Sequence, residues 1–270
     1  MLENAPRFPE RARPKINKMN SIRKAARLGF RLLKIGVTNP RRLSHVLGTA
    51  LAASDEVVDR SCDLLCFPRV HPHDLLPESG NPWMVRLALF PKSYASISMI
   101  ETASLILLMK KAGAGNVFEF GTFKGISVTQ FALNLPADSL ICTLDLPDEM
   151  SSTKFAITDP GDLGIAIEAG KGSLVPPELR PRVTFIKQDS AALDISPYAD
   201  RMDFVFVDGA HNYDYVKNDS EKGWQMLRKG GIIAWHDCRP KDPDVVRYLL
   251  NSAYQPTLIL GTTVAFATRT

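Results

Sequence analysis

From Ser96 onward the chain alternates between two hydrophobic periods. Short apolar runs at Val117–Phe120, Leu140–Leu146, Val183–Gln188, Met202–Val207 and Ile232–Trp235 predict buried strands. Between them, apolar residues recur three or four apart in Ile97–Lys111, Ile126–Leu135, Tyr213–Arg228 and Asp244–Ala253, which predicts helices. Residues 148–180 form a longer excursion rich in Gly and Pro, with a helix expected near Leu163–Ala169. Gly230-Gly231 punctuates the chain before the fifth strand. Thr257–Leu260 and Val264–Thr268 flank Gly261 and predict a closing hairpin. Alternating helix and strand is the mark of a parallel sheet covered on both faces. The expected fold is α/β: a doubly wound, mostly parallel seven-stranded sheet with an antiparallel C-terminal hairpin.

Before Ser96 the pattern changes. Residues 1–18 are rich in Pro, Arg and Lys and are expected to be disordered. Ser21–Ile35 has helical period, with Arg23, Arg27, Arg31 and Lys34 on one stripe and Ile22, Ala26, Phe30 and Leu33 on the next. Leu43–Leu65 predicts one or two further helices. Residues 67–91 hold five prolines and read as an irregular linker or a cap on the substrate side. The expected division is a basic N-terminal extension, 1–95, and an α/β domain, 96–270.

Composition adds two constraints. Charge is uneven: residues 1–45 carry 12 Lys/Arg against Glu3 and Glu10, while the remainder carries 21 against 27 acids. A basic arm thus precedes a mildly acidic body. The arm could lie on an anionic membrane surface or be a solvated charged helix. Nucleic acid ranks lower, because its only aromatics are Phe8 and Phe30. No apolar run reaches the ~18 residues of a membrane span, and the N-terminus lacks the apolar core of a signal peptide. A cytoplasmic protein is expected, with peripheral contact at the inner membrane face left open. Cys62 and Cys66 lie one helical turn apart, but two thiols alone do not make a zinc site.

Candidate chemistry gathers at the predicted strand ends, where ligands bind in open parallel sheets. These ends carry Glu119 and Gly121, Asp145, Asp189-Ser190, Asp208 with His211, and His236-Asp237. Five acidic ends facing one crevice would repel, which a cationic cofactor, a metal or both would relieve. The turn after the first strand, Glu119-Phe-Gly121-Thr122-Phe-Lys-Gly125-Ile-Ser127, leads through glycines into a helix N-terminus, a ready anion cradle. Asp145 is either a ribose ligand or a turn aspartate. Asp189 with Ser190 is either an adenine-edge contact or a helix cap.

The run Glu-x-Gly-x-Phe-x-Gly-x-Ser resembles the first motif of class I S-adenosylmethionine-dependent methyltransferases, most closely the O-methyltransferase branch. The branch holds catechol-type and macrocin- or mycinamicin-type sugar enzymes, and the resemblance covers Ser96–Thr270. It implies an S-adenosylmethionine cofactor on Glu119, Gly121, Thr122, Gly125, Ser127, Asp145, Asp189 and Ser190. It implies a magnesium or manganese ion on Asp208 and Asp237, with His236 either a third ligand or a bystander, because related chains carry a carboxylate or amide there. It implies His211 as general base, since a neutral imidazole accepts a proton near pH 7. The expected acceptor is a vicinal diol on a sugar, a glycan or a catechol. Metal-independent methyl transfer to a small molecule is the alternative, then a nucleic-acid methyltransferase. Self-association is compatible with the sequence.

Overall fold

The computed structural model describes residues 67–77, 82–90, 97–148 and 153–270. They belong to one compact unit, Val58–Thr270. The expectations for the basic arm, the 43–65 helices and the Cys62/Cys66 pair lie outside the described residues.

Eight strands form one sheet: β1 (Arg69–Val70), β2 (Asn116–Phe120), β3 (Leu140–Asp145), β4 (Val183–Lys187), β5 (Met202–Val207), β6 (Leu227–Trp235), β7 (Thr257–Ile259) and β8 (Ala265–Thr268). Their order is β1-β7-β8-β6-β5-β2-β3-β4. The strands from β4 across to β6 are parallel, and β8 runs antiparallel to both β6 and β7. The doubly wound sheet and its closing hairpin are as the periodicity predicts. The eighth strand is β1, whose Arg69 and Val70 pair with Leu258 and Ile259. Part of the expected proline-rich linker is thus stitched onto the sheet edge.

Strand side chains alternate between faces. Phe204 and Phe206 point into one apolar layer with Val117, where helices α1 (Met99–Lys111) and α2 (Ile126–Asn134) pack. Val205, Val207, Phe118 and Phe120 point into the other, covered by α4 (Tyr213–Met226) and α5 (Pro243–Asn251). The remaining helix, α3 (Pro160–Ile167), buries none of its residues. It begins at Asp159, whose side chain accepts from the N–H groups of Gly161 and Asp162, with Pro160 at the first helical position.

Two boundaries depart from expectation. Helix α4 stops at Met226 and β6 starts at Leu227, so Gly230-Gly231 lies inside a strand. Leu227 pairs with Met202 of β5, and Arg228 forms an ion pair with the buried Asp203. The same Asp203 accepts from the N–H groups of Gly115 and Asn116 at 2.8 and 2.7 Å, tying β5 to the start of β2.

Candidate active site

A cavity of about 270 Å³ opens at the carboxyl ends of β2, β3, β5 and β6. Gly121, Ser127, Asp145, Asp208, His211 and Asp237 are among the residues that line it.

On the β2 side the glycine turn is held by packing. Gly121 has φ +97°, and a Cβ there would lie 2.0 Å from the Asp208 carbonyl oxygen. Only glycine lets the end of β2 pass this close to the end of β5. Gly125, at φ +85°, caps α2, and a Cβ there would meet Val175 at 2.4 Å. Phe123 between them holds φ +42°, with its N–H donating to Asp145 Oδ2 at 2.6 Å.

Glu119 is fully buried beneath this turn. Its Oε1 accepts from Ser127 and its Oε2 from Thr143 at 2.5 Å. Thr143 in turn shares a 2.7 Å bond with Thr122. Burial outweighs these bonds and pushes the Glu119 carboxyl up to about 8. Glu119 therefore fastens β2, β3 and α2 together below the cavity.

Asp145 Oδ1 accepts from Leu146 N–H at 2.8 Å and faces the buried Lys171 ammonium at 3.9 Å. Burial pushes its pKa up, while Lys171 and the backbone donors oppose the shift. Asp189 caps a short 3-10 turn by accepting from Ala191 N–H at 2.8 Å. Its carboxylate also accepts from Tyr215 Oη at 3.0 Å and Lys154 N–H at 2.8 Å. The Ala191 contact is that of a helix cap. Ser190 and Gln188 beside it reach the cavity.

The β5–β6 side is built differently. His211 lies between two carboxylates, with Nδ1 2.6 Å from Asp162 Oδ1 and Nε2 2.7 Å from Asp237 Oδ2. Asp237 has φ +53° and also meets Arg239 at 2.8 Å and His236 Nδ1 at 3.2 Å. His236 Nδ1 lies 3.0 Å from Asp208 Oδ1, and its Nε2 faces the buried Glu101 at 3.5 Å. Glu101 is set by the capping box at the start of α1 and by Thr263, whose N–H and hydroxyl both donate to it at 2.9 Å.

Burial disfavours charge on both rings, but the carboxylates outweigh it. Asp162 and Asp237 push His211 up to about 11, and Asp237 with Asp208 raise His236 well above its usual range. Burial disfavours ionised Asp237 too, yet His236 and His211 hold it well below the carboxylate range. An unperturbed histidine near pH 6.5, as expected for His211, does not describe this arrangement.

Asp208, His211 and Asp237 each offer a ligand atom within 4.8 Å of the others, a set suited to a divalent cation. His236, left open as a third ligand or a bystander, is the partner of Asp208, Asp237 and Glu101. The charges also fit. Five carboxylates (Glu101, Asp162, Asp208, Asp237, Asp242) face two imidazoles and Arg239 in one connected cluster. With His211 neutral, as a ligand must be, and His236 protonated, three formal negative charges remain, which a divalent ion would largely offset. Sequence reasoning missed Asp162 and Lys171, both in the long excursion; the only signal was Asp159-Pro160 opening a helix.

Residues 118–238, the span from β2 to the end of β6, match the family model described as a methyltransferase domain. Over this span the chain is similar to methyltransferases. Its curated relatives are methyltransferases by name, most of them caffeoyl-CoA O-methyltransferases. Caffeoyl-CoA O-methyltransferase 2 of Zea mays is 26% identical over 194 residues, covering 72% of this chain and 66% of its own. Tapetum-specific methyltransferase 1 of Arabidopsis thaliana is 29% identical over 173 residues, covering 63% and 64%. This chain spans about two-thirds of the length of these relatives. Among solved structures, the calicheamicin methyltransferase CalS11 superposes with a TM-score of 0.49 at 17% identity, covering 63% of this chain and 79% of its own. An O-methyltransferase from Bacillus cereus in complex with SAH gives 0.45 at 17%, covering 66% and 84%. The matched span begins inside β2, just before the glycine turn, and ends at the Asp237-Cys238 strand end. Among the described residues no helix is long and apolar enough to cross a membrane.

Proposed function

We propose that this domain methylates a hydroxyl of a small molecule with the help of a divalent ion, with His211 receiving the hydroxyl proton. The observation that carries the reading is the meeting of Asp208, His211 and Asp237 in the cavity that the glycine turn also lines. S-adenosylmethionine would lie along Gly121–Ser127, its carboxylate facing the α2 N-terminus and its ribose near Asp145.

When bound, the ion lowers the pKa of a hydroxyl that it coordinates. The chain's own residues do the rest. Asp208 and Asp237 hold the acceptor side in place beside the sulfonium. The acceptor oxygen attacks the methyl carbon, the carbon–sulfur bond breaks, and sulfur leaves as a neutral thioether. The hydroxyl proton passes to Nε2 of His211. Nε2 is now held by Asp237, so a cation on Asp237 frees it to act.

The acceptor class is a vicinal diol, which such an ion can chelate. The names of the curated relatives favour a phenolic diol, and the resemblance of the Asp208–His211 run to the sugar-modifying enzymes favours a sugar. Residues 96–270 are assigned to the enzyme, with 1–95 an extension that could contact an anionic membrane. Metal-independent transfer is the second reading. It is favoured by one observation: Asp208 and Asp237 already have cationic partners in His211, His236 and Arg239.

Turnover with phenolic and sugar diols, with magnesium or manganese and then with excess chelator, separates the two. Full activity in chelator would promote the second reading. His211→Ala should lower the rate at saturating metal by ~10²–10⁴ if His211 is the base. A raised metal requirement with an unchanged maximal rate would make it a ligand instead.

A further inference from the structure

Helix α3 covers the cavity without a buried side chain of its own, so polar ties hold it in place. At its C-terminal end Lys171 Nζ bonds the carbonyls of Ile165 and Ala166 and faces Asp145. Lys124 of the glycine turn bonds the next segment, at Glu168 and the Ala169 carbonyl. At its N-terminal end the tie is Asp162, in the first turn after the Asp159 cap.

Asp162 grips His211 with both oxygens. Oδ2 accepts from the His211 backbone N–H at 2.7 Å, and Oδ1 lies 2.6 Å from ring Nδ1. The two contacts fix both the loop and the ring. The Asp162 carboxylate holds Nδ1 as a donor and turns Nε2 toward Asp237, which holds Nε2 in the same way until a cation takes that carboxylate.

We propose that Asp162 is a positioning residue: it holds a proton on His211 Nδ1 and aims Nε2 at the reacting hydroxyl, so that the ring is set only when α3 lies over the cavity. The proposal rests on His211 acting as the base. It makes α3 a wall whose placement is read out at the proton acceptor, while its other end is tied to the carboxylate nearest the cofactor turn.

The test uses the full chain with magnesium and S-adenosylhomocysteine. Asp162→Asn keeps the size and a backbone-accepting oxygen but removes the second anionic oxygen. In wild type, histidine-labelled NMR should show an exchange-protected proton on His211 Nδ1, assigned by its loss in His211→Gln. In Asp162→Asn that signal should vanish. The kcat should fall ~10²-fold or more, as when a base takes the wrong tautomer, with KM for the methyl donor unchanged. Asp162→Glu should recover part of kcat. A persistent Nδ1 proton or an undiminished kcat in Asp162→Asn overturns the proposal. Full turnover by His211→Gln, with the signal still dependent on Asp162, overturns the base assignment and leaves the clamp.

Discussion

The two ends of the cavity use the same residue type for opposite purposes. At the β2–β3–β4 ends, Glu119, Asp145 and Asp189 accept mainly from hydroxyls and backbone N–H groups. Those donors cannot release a proton near neutral pH, so the contacts are architecture. At the β5–β6 ends, Asp208 and Asp237 meet imidazoles and an arginine. Imidazoles exchange protons, and a cation can displace them. A carboxylate's partner therefore says more about its role than its position at a strand end does.

The sharpest way to break the comparison is at the β5–β6 end. Asp208→Ala and Asp237→Ala should each cut metal-stimulated turnover by ~10² or more while calorimetry shows S-adenosylmethionine affinity preserved. Equal loss of both would merge the two ends into one site. Gly121→Val should be the largest effect at the other end. Its Cβ meets a backbone carbonyl at 2.0 Å, so a loss of about 3 kcal/mol or more is expected in urea denaturation. This variant tests packing before it tests cofactor binding.

Glu119 gives a pH signature. Its carboxyl moves from 4.5 up to about 8, so between those values the folded protein keeps a proton that the unfolded chain has lost. Its contribution is complete below pH 4.5 and fades as pH rises toward 8, by at most about 1.4 kcal/mol per unit. Glu119→Gln should flatten that part of the stability curve in denaturation from pH 5 to 8.5. The smallest effect belongs to Asp189→Ala, where loss of the cap should cost about 1–2 kcal/mol in thermal unfolding. Catalysis should survive it if Asp189 is only a cap.

Legibility in the sequence follows the same divide. The central strands were readable because burial on both faces demands unbroken apolar runs such as Met202–Val207. The hairpin was readable from Gly261. The two-residue β1 carries too few side chains to show a period, and the start of β6 was hidden by its glycines. At the site, Asp208, His211 and Asp237 could be named because they follow strands. Their partners could not: Asp162 reaches His211 from a helix whose packing leaves no apolar stripe. Nor could the His211 charge state be read, since it depends on two carboxylates distant in sequence.

Strand β1 also constrains how the chain is assembled. Arg69 pairs with Leu258 and Val70 with Ile259, so one of the earliest described segments docks on one of the last. On a chain emerging from the ribosome, residues around Arg69 must wait until Leu258 and Ile259 have been made. The parallel strands from β2 to β6 can pair before that, each with a neighbour closer in sequence. Closing so long a loop adds entropy cost late in folding for only two residues of pairing. The sheet edge at β1 is therefore expected to be the last to form and the first to open, and hydrogen exchange at Leu258 and Leu260 should report it.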